Sequence, residues 1–302
     1  MTLPNFLIIG AAKSGTSSLY MFLMQHPEIY MSPTKEPHFF SFDNESKMTQ
    51  GPGDPIHEAI TDFDAYQAQF DGVTNEKAIG EASTSYLYRP EAPGRIHAIL
   101  PDVKLIAILR DPADRAFSAY MHVVRDKRET AKNFAEALSL EETRKAAGWE
   151  PIWHFTSVGH YYEQLQRYYE LFTPEQIRVY LFEDLINNHA ESLANIYDFL
   201  GVDPGFVPGS LMRYNASGHV RSETVAEESA WLFSNPNLIR WASHKVLPHN
   251  WRMKFATWVR FKNLKRPEIP GEIRKQLIDQ FRDEIHQLEG LINRDLSNWL
   301  VE

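Results

Sequence analysis

The first chemistry sits where an apolar run ends. Phe6-Leu-Ile-Ile leads into Gly10, and the chain continues Ala11-Ala12-Lys13-Ser14-Gly15-Thr16-Ser17-Ser18 before the helical pattern Leu19-Tyr-Met-Phe-Leu-Met. A strand that turns through small residues into a helix presents successive backbone N–H groups. With the open N-terminus of the helix, these form a concave site for oxyanions. The spacing Gly10-x-x-x-x-Gly15 is that of a loop cradling a nucleotide triphosphate, yet Thr16 stands where lysine should follow the second glycine. Lys13, the one lysine present, lies three positions earlier, at the loop apex. A triphosphatase places lysine on the β and γ phosphates and a hydroxyl on magnesium. Lys13 instead addresses an oxygen nearer the middle of a shorter anionic group, which suits a donor that needs no metal. Taken alone, a Gly-rich turn after a strand is weak evidence, since a tight structural turn has the same composition.

A second constellation is Lys104-Leu-Ile-Ala-Ile-Leu-Arg110-Asp111-Pro112-Ala-Asp-Arg115-Ala-Phe-Ser118-Ala-Tyr120. The strand delivers Arg110 at its C-terminal edge, where open α/β sheets bind ligands, and the following helix brings Ser118 round two turns later. A planar fork of donors and a hydroxyl suit a terminal phosphate monoester. The bland alternative is an arginine paired with a neighbouring carboxylate.

The elements that must hold these residues follow from periodicity. Apolar runs alternate with helical patterns along 302 residues, as in an α/β fold with a central, mostly parallel sheet flanked by helices. Strands are expected at Leu3 to Ile9, Lys77 to Glu81, Val103 to Leu109 and Ile177 to Phe182. Helices are expected at Ser17 to Gln25, Ile56 to Phe70, Pro90 to Leu100, Asp111 to Arg128, Asn133 to Ala147, Gly159 to Leu171, Leu185 to Leu200 and Glu272 to Leu300. Asp111-Pro112 is a strong helix start, with aspartate as cap and proline in the first turn. No repeat and no composition shift marks a linker, so residues 1–302 are read as one domain.

Composition sets further limits. With 43% hydrophobic residues the chain can bury a sizeable core. No apolar run reaches the roughly eighteen residues of a membrane span, and no secretory pattern opens the sequence, so a cytoplasmic protein is expected. The absence of cysteine excludes disulfides, thiolate metal sites and cysteine nucleophiles. The formal net charge of −9 argues against a nucleic-acid partner. One region departs from this average. Between Ser229 and Pro267 there is no acidic residue, while eight lysines and arginines alternate with Trp231, Trp241, Trp251, Phe255, Trp258 and Phe261. Three readings fit it: a packed helical segment, a lid over substrate, or an amphipathic patch against a membrane or glycolipid.

The first loop resembles the 5′-phosphosulfate loop of sulfotransferases that use 3′-phosphoadenosine 5′-phosphosulfate (PAPS), and the Arg110–Ser118 order resembles their 3′-phosphate site. The resemblance implies a P-loop-type three-layer fold, PAPS as sulfuryl donor and the bisphosphate PAP as product. Lys13, Ser14, Gly15, Thr16, Ser17 and Ser18 would hold the phosphosulfate, with Lys13 stabilising the leaving phosphate. Arg110 and Ser118 would take the 3′-phosphate. Ser32-Pro-Thr-Lys35-Glu36-Pro37-His38-Phe39-Phe40-Ser41-Phe42-Asp43 is similar to the segment carrying the catalytic carboxylate in the heparan-sulfate branch. Carried over, Glu36 is the general base and His38 its helper; the bland alternative pairs Glu36 with Lys35 or a loop N–H. Gly80 to Tyr86, Gly159 to Leu165, Phe182 to Leu185 and Arg294 to Trp299 extend the resemblance over much of the chain. Gly218 and Arg221 fall where the family closes over its nucleotide. Two departures stand out: the branch has lysine at the place of Ala82 and an acidic residue at that of Ser41, with Asp43 nearby.

The implied reaction moves a sulfuryl group in line onto a hydroxyl or amine of a carbohydrate, glycolipid or small alcohol. No metal is implied, and the twelve histidines are scattered without ligand spacing. The competing classes are a P-loop kinase or NTPase, with Asp111 as its magnesium aspartate, and a non-catalytic nucleotide-binding protein. The sequence does not choose the acceptor or the oligomeric state.

Overall fold

The computed structural model describes residues 2–42, 51–52, 59–209, 219–220, 264–265 and 268–301. In chain order the elements begin with β1 (Phe6–Gly10), α1 (Thr16–Leu23), β2 (Ile29–Met31), α2 (Phe63–Gln67), β3 (Ala78–Ala82), α3 (Ser85–Tyr88), α4 (Ala92–Ile99) and β4 (Lys104–Leu109). They continue with α5 (Pro112–Arg125), α6 (Phe134–Ser139), α7 (Glu141–Ala146), α8 (Tyr161–Tyr169), β5 (Ile177–Leu181), α9 (Phe182–Asn187), α10 (His189–Leu200), β6 (His219–Val220), β7 (Leu264–Lys265) and α11 (Gly271–Ile292).

Five strands form one sheet in the order β2-β3-β1-β4-β5, and every neighbouring pair is parallel. β1 and β4 are central, and their unbroken apolar runs reflect burial on both faces. Side chains alternate between two cores, as the strand period requires. Phe6, Ile8, Ile106 and Ile108 pack with α1 and α10 on one side. Leu7, Ile9, Leu105, Ala107 and Leu109 pack with α4, α5, α8 and α11 on the other. This is the three-layer arrangement expected from the alternating sequence pattern. All five strands of this sheet point the same way, so the ends of β1, β3 and β4 and the loops that follow them gather at one edge.

Several expected elements are shorter or divided. Of the helix read over Ile56 to Phe70, residues 56–58 lie outside the described set, residues 59–62 are not helical, and the helix starts at Phe63 and ends in a 3-10 turn at Ala68–Phe70. Asp62 caps it through a 2.8 Å bond from the Ala65 N–H, which sets the start. The helix read over Asn133 to Ala147 is two. The break falls beside Glu141, whose buried carboxylate accepts from the N–H and hydroxyl groups of Thr156 and Ser157 at 2.7–2.9 Å. The pattern from Leu185 to Leu200 is likewise divided at Asn188, and Gly201 closes its second part in the left-handed region, φ 78°. The last helix stops at Ile292, and Asn293 turns the chain out at φ 50°. β2 was not expected. It has three residues, too short for a period to show, and exists through its pairing with β3. Residues 229–267 lie outside the described set except for the backbone of β7, which pairs antiparallel with β6. Among the described residues no helix is long and apolar enough to cross a membrane.

Candidate active site

β1 ends in the loop that carries Lys13. The Ala11 N–H donates to the Ile108 carbonyl of β4 at 2.8 Å, and the Ser14 N–H turns back to the Ala11 carbonyl at 3.2 Å. Lys13 and Gly15 take left-handed φ values of 70° and 94°. Gly15 is required twice over, because a Cβ there would stand 3.0 Å from the Phe182 ring. The first turn of α1 begins at Thr16, so the N–H groups of Thr16 and Ser17 precede any carbonyl of their own helix that could bind them. The Ser14 hydroxyl is fully buried beside the Tyr161 phenol, and among the described residues it makes no hydrogen bond of ordinary geometry.

Lys13 is a perturbed cation. Burial lowers its pKa to about 8, and Arg125, Arg115 and Arg110 push the same way against Asp126. The positive neighbours come from the end of β4 and from α5. Arg110 reaches the loop, its Nη1 donating to the Lys13 carbonyl at 3.4 Å. Its guanidinium lies 4.9 Å from the centre of the Phe182 ring and 3.7 Å from the Asp114 carboxylate, the pairing that the bland alternative foresaw. The Tyr161 hydroxyl donates to the Arg110 carbonyl at 3.0 Å and steadies the strand end. Ser118 lies on the buried side of α5, two turns from its start. Asp111 caps α5 as expected, accepting from Ala113 and Asp114 N–H groups at 2.8 and 3.0 Å. Its second oxygen takes Arg274 at 3.0 Å, so this carboxylate is committed to the fold and does not offer the magnesium position of the NTPase alternative.

The sequence reading missed the rest of this wall. Arg115 is buried and donates to the Phe155 carbonyl, and burial lowers its pKa. His122 accepts from Arg125 at 2.9 Å and sits 3.4 Å from Asp126. Burial and the neighbouring Lys13 push it down to about 4 and keep it neutral at physiological pH. Helical spacing from Ser118 through His122 to Arg125 and Asp126 was the available signal.

Across the sheet edge lies the second cluster. Glu36 Oε2 accepts from the N–H and from the hydroxyl of Thr84, both at 2.7 Å, and Oε1 pairs with Lys35 Nζ at 2.9 Å. Both pairings of the bland reading are therefore present. Burial pushes the Glu36 pKa up, but Lys35, His38 and the bonds from Lys35 and Thr84 prevail and hold it at about 2. His38 Nε2 is 3.8 Å from that carboxylate, while Nδ1 bonds Ser85 Oγ at 2.6 Å, which bonds Ser41 Oγ at 2.6 Å. The His38 pKa is lowered, mainly by burial. Phe40 and Phe42 are core, and Phe39 stacks on Tyr66 at 4.3 Å. Ala82 is fully buried, so Lys35 is the cation on the carboxylate.

Beneath this cluster is a buried acid that the sequence reading left unremarked. Glu81 accepts from Tyr86 at 2.6 Å, Ser83 at 2.9 Å and Tyr66 at 3.4 Å. Burial raises its pKa to about 7, although hydrogen bonds from Tyr86 and Ser83 pull the other way. Ser83 Oγ also accepts from the His38 N–H at 3.0 Å, so the β3–α3 connection carries the segment of Glu36 and His38.

The two clusters meet at Gly10. A Cβ there would lie 2.8 Å from Leu87 and 3.2 Å from the Thr84 carbonyl, so the loop and the platform that carries Glu36 are in contact. Gly218, Arg221 and Asp43 lie outside the described residues. Among the described residues no group of three or more histidines and carboxylates is placed to hold a metal ion.

Comparison with known proteins gives a concordant result. The model of the sulfotransferase domain family matches residues 3–216. A bifunctional heparan sulfate N-deacetylase/N-sulfotransferase 4 from Mus musculus is 27% identical over 99% of this chain and 31% of its own length. The human heparan sulfate glucosamine 3-O-sulfotransferase 3B1 is 33% identical over 66% of this chain and 46% of its own. The chain thus spans between about a third and under half of these relatives. A crystal structure of a sulfotransferase from Alicyclobacillus acidocaldarius superimposes with a TM-score of 0.78 at 37% identity, covering 99% of both chains.

Proposed function

The chain belongs to the sulfotransferase family, and on that premise we propose that it transfers a sulfuryl group from PAPS to a hydroxyl or amine of a carbohydrate. One observation carries this reading: the loop that carries the partly buried Lys13 and the platform that holds the ionised Glu36 adjoin at the contact between Gly10 and Thr84. The loop fits an anionic donor, because the buried Ser14 hydroxyl and the first N–H groups of α1 have donors to give.

PAPS, when bound, supplies an activated sulfuryl group on a phosphate leaving group. Lys13 neutralises charge that grows on the departing phosphate oxygen, an effect worth more in a partly buried site than in water. Ser14 to Ser18 bind the phosphosulfate, and Arg110 with Ser118 binds the 3′-phosphate. Glu36, ionised throughout the physiological range, takes the proton that the acceptor loses as its bond to sulfur forms. His38, neutral and fixed by Ser85, steadies that carboxylate or the acceptor. Gly218 and Arg221 are assigned to closure over the nucleotide. A carbohydrate acceptor is supported by the names of the curated relatives, two of which act on heparan sulfate. A contact of residues 229–267 with a glycolipid or membrane belongs to the same proposal.

Thermal melting with PAP, without magnesium, tests the donor: stabilisation by PAP and none by ATP with magnesium is expected. Label transfer from radioactive PAPS to desulfated heparan oligosaccharides tests the reaction. A melting curve indifferent to PAP, or stabilised by magnesium ATP instead, overturns the assignment.

A further inference from the structure

Thr84 touches both halves of the site. Its N–H and hydroxyl close on the same oxygen of Glu36, each at 2.7 Å, while its carbonyl packs on Gly10 at the root of the donor loop. Two donors converging on Oε2 fix the carboxylate plane, and among the described residues Oε1 is held by Lys35. A threonine supplies both donors from a single position, its backbone N–H and its hydroxyl.

We propose that Thr84 is the positioning residue of the base: it orients Glu36, leaves the oxygen shared with Lys35 to accept the acceptor's proton, and sets that oxygen against the donor loop. This rests on the sulfuryl-transfer reading. The charged and titratable groups around Glu36 are Lys35 and His38 on its own segment and Glu81 on β3. The first two remain in place when Thr84 is changed, so the effect of its hydroxyl can be isolated.

The experiment compares wild type, Thr84→Val and Thr84→Ser. In the free protein, the Glu36 carboxyl is followed by carbon NMR and assigned with Glu36→Gln. Loss of the hydroxyl should raise its titration midpoint by about one pH unit, and serine should restore it. PAP affinity by calorimetry should be equal in all three. With PAPS and an acceptor turned over by the wild type, kcat of Thr84→Val should fall about tenfold with acceptor KM held, and Thr84→Ser should recover it. An unmoved midpoint, an unmoved kcat, or a serine variant as impaired as valine each overturns the proposal. A wild type that binds no PAP overturns the underlying reading instead, and the NMR titration still reports whether Thr84 holds the carboxylate.

Discussion

Lys13 and Glu36 are both shifted downward, with opposite consequences: the shift loosens the proton of Lys13 and holds the charge on Glu36. Lys13 is held down to about 8 by burial and by three arginines, so in the free protein it loses its proton as pH rises through that value. A reaction that needs its charge should decline above about pH 8. Lys13→Arg, always protonated, should remove that basic limb even if its maximal rate is lower. A pH–rate profile of kcat/KM checks this; an identical basic limb in the arginine variant would falsify the role of Lys13. Lys13→Ala should lower kcat by about a hundredfold or more while PAP affinity falls far less, as for loss of a group that acts on developing charge. Glu36→Gln should act likewise on kcat, and rapid-mix turnover with calorimetry separates the two effects.

At the scale of elements, the strand-to-loop junctions decide the site. Gly10→Ala forces a Cβ to 2.8 Å from Leu87 and close to the Thr84 carbonyl, where the loop meets the platform that carries Glu36. The expected cost is about 1–3 kcal/mol of stability together with weakened PAP binding, measurable by urea unfolding and calorimetry. An alanine variant with native affinity and native stability would contradict that contact. The start of α5 makes a second test. Asp111→Ala removes a cap worth about 1 kcal/mol and strips Arg274 of one of its two carboxylates, so destabilisation beyond the cap alone is expected. Both junctions were legible in the sequence: Gly10 and Gly15 as punctuation after an apolar run, Asp111-Pro112 as a helix start. β2 and the divisions at Leu140 and Asn188 were not, because a three-residue strand has no period. The buried Glu141 contacts that accompany one break join residues fifteen and sixteen apart in the chain.

Across the whole molecule, the buried Glu81 couples folding to pH. Its folded pKa is raised from 4.5 to about 7, so it favours the protonated fold, and its contribution falls as pH rises through that window. Glu36 has the opposite sign, contributing above its ordinary value and losing that support only as pH falls toward 2. His122 and His154, both lowered to about 4, titrate in an overlapping range, so the informative quantity is a difference between variants. The stability of Glu81→Gln relative to wild type should climb from pH 5 to about 7.5 by a few kcal/mol and then level off. Denaturant titrations across that range check it, and parallel curves would sink the idea. The sequence alone determined the alternating α/β architecture, the oxyanion loop with its displaced lysine, and the arginine at the end of β4. Each of these is a local pattern of glycine spacing, strand period or capping, written within about a dozen consecutive residues. Only the tertiary structure decided that Thr84 grips Glu36, that Glu81 underlies it, and that α5 crowds Lys13 with arginines. Those contacts join strands β1, β3 and β4 at one sheet edge, where burial governs Lys13 and Glu81 while Lys35, His38 and Thr84 overcome it at Glu36.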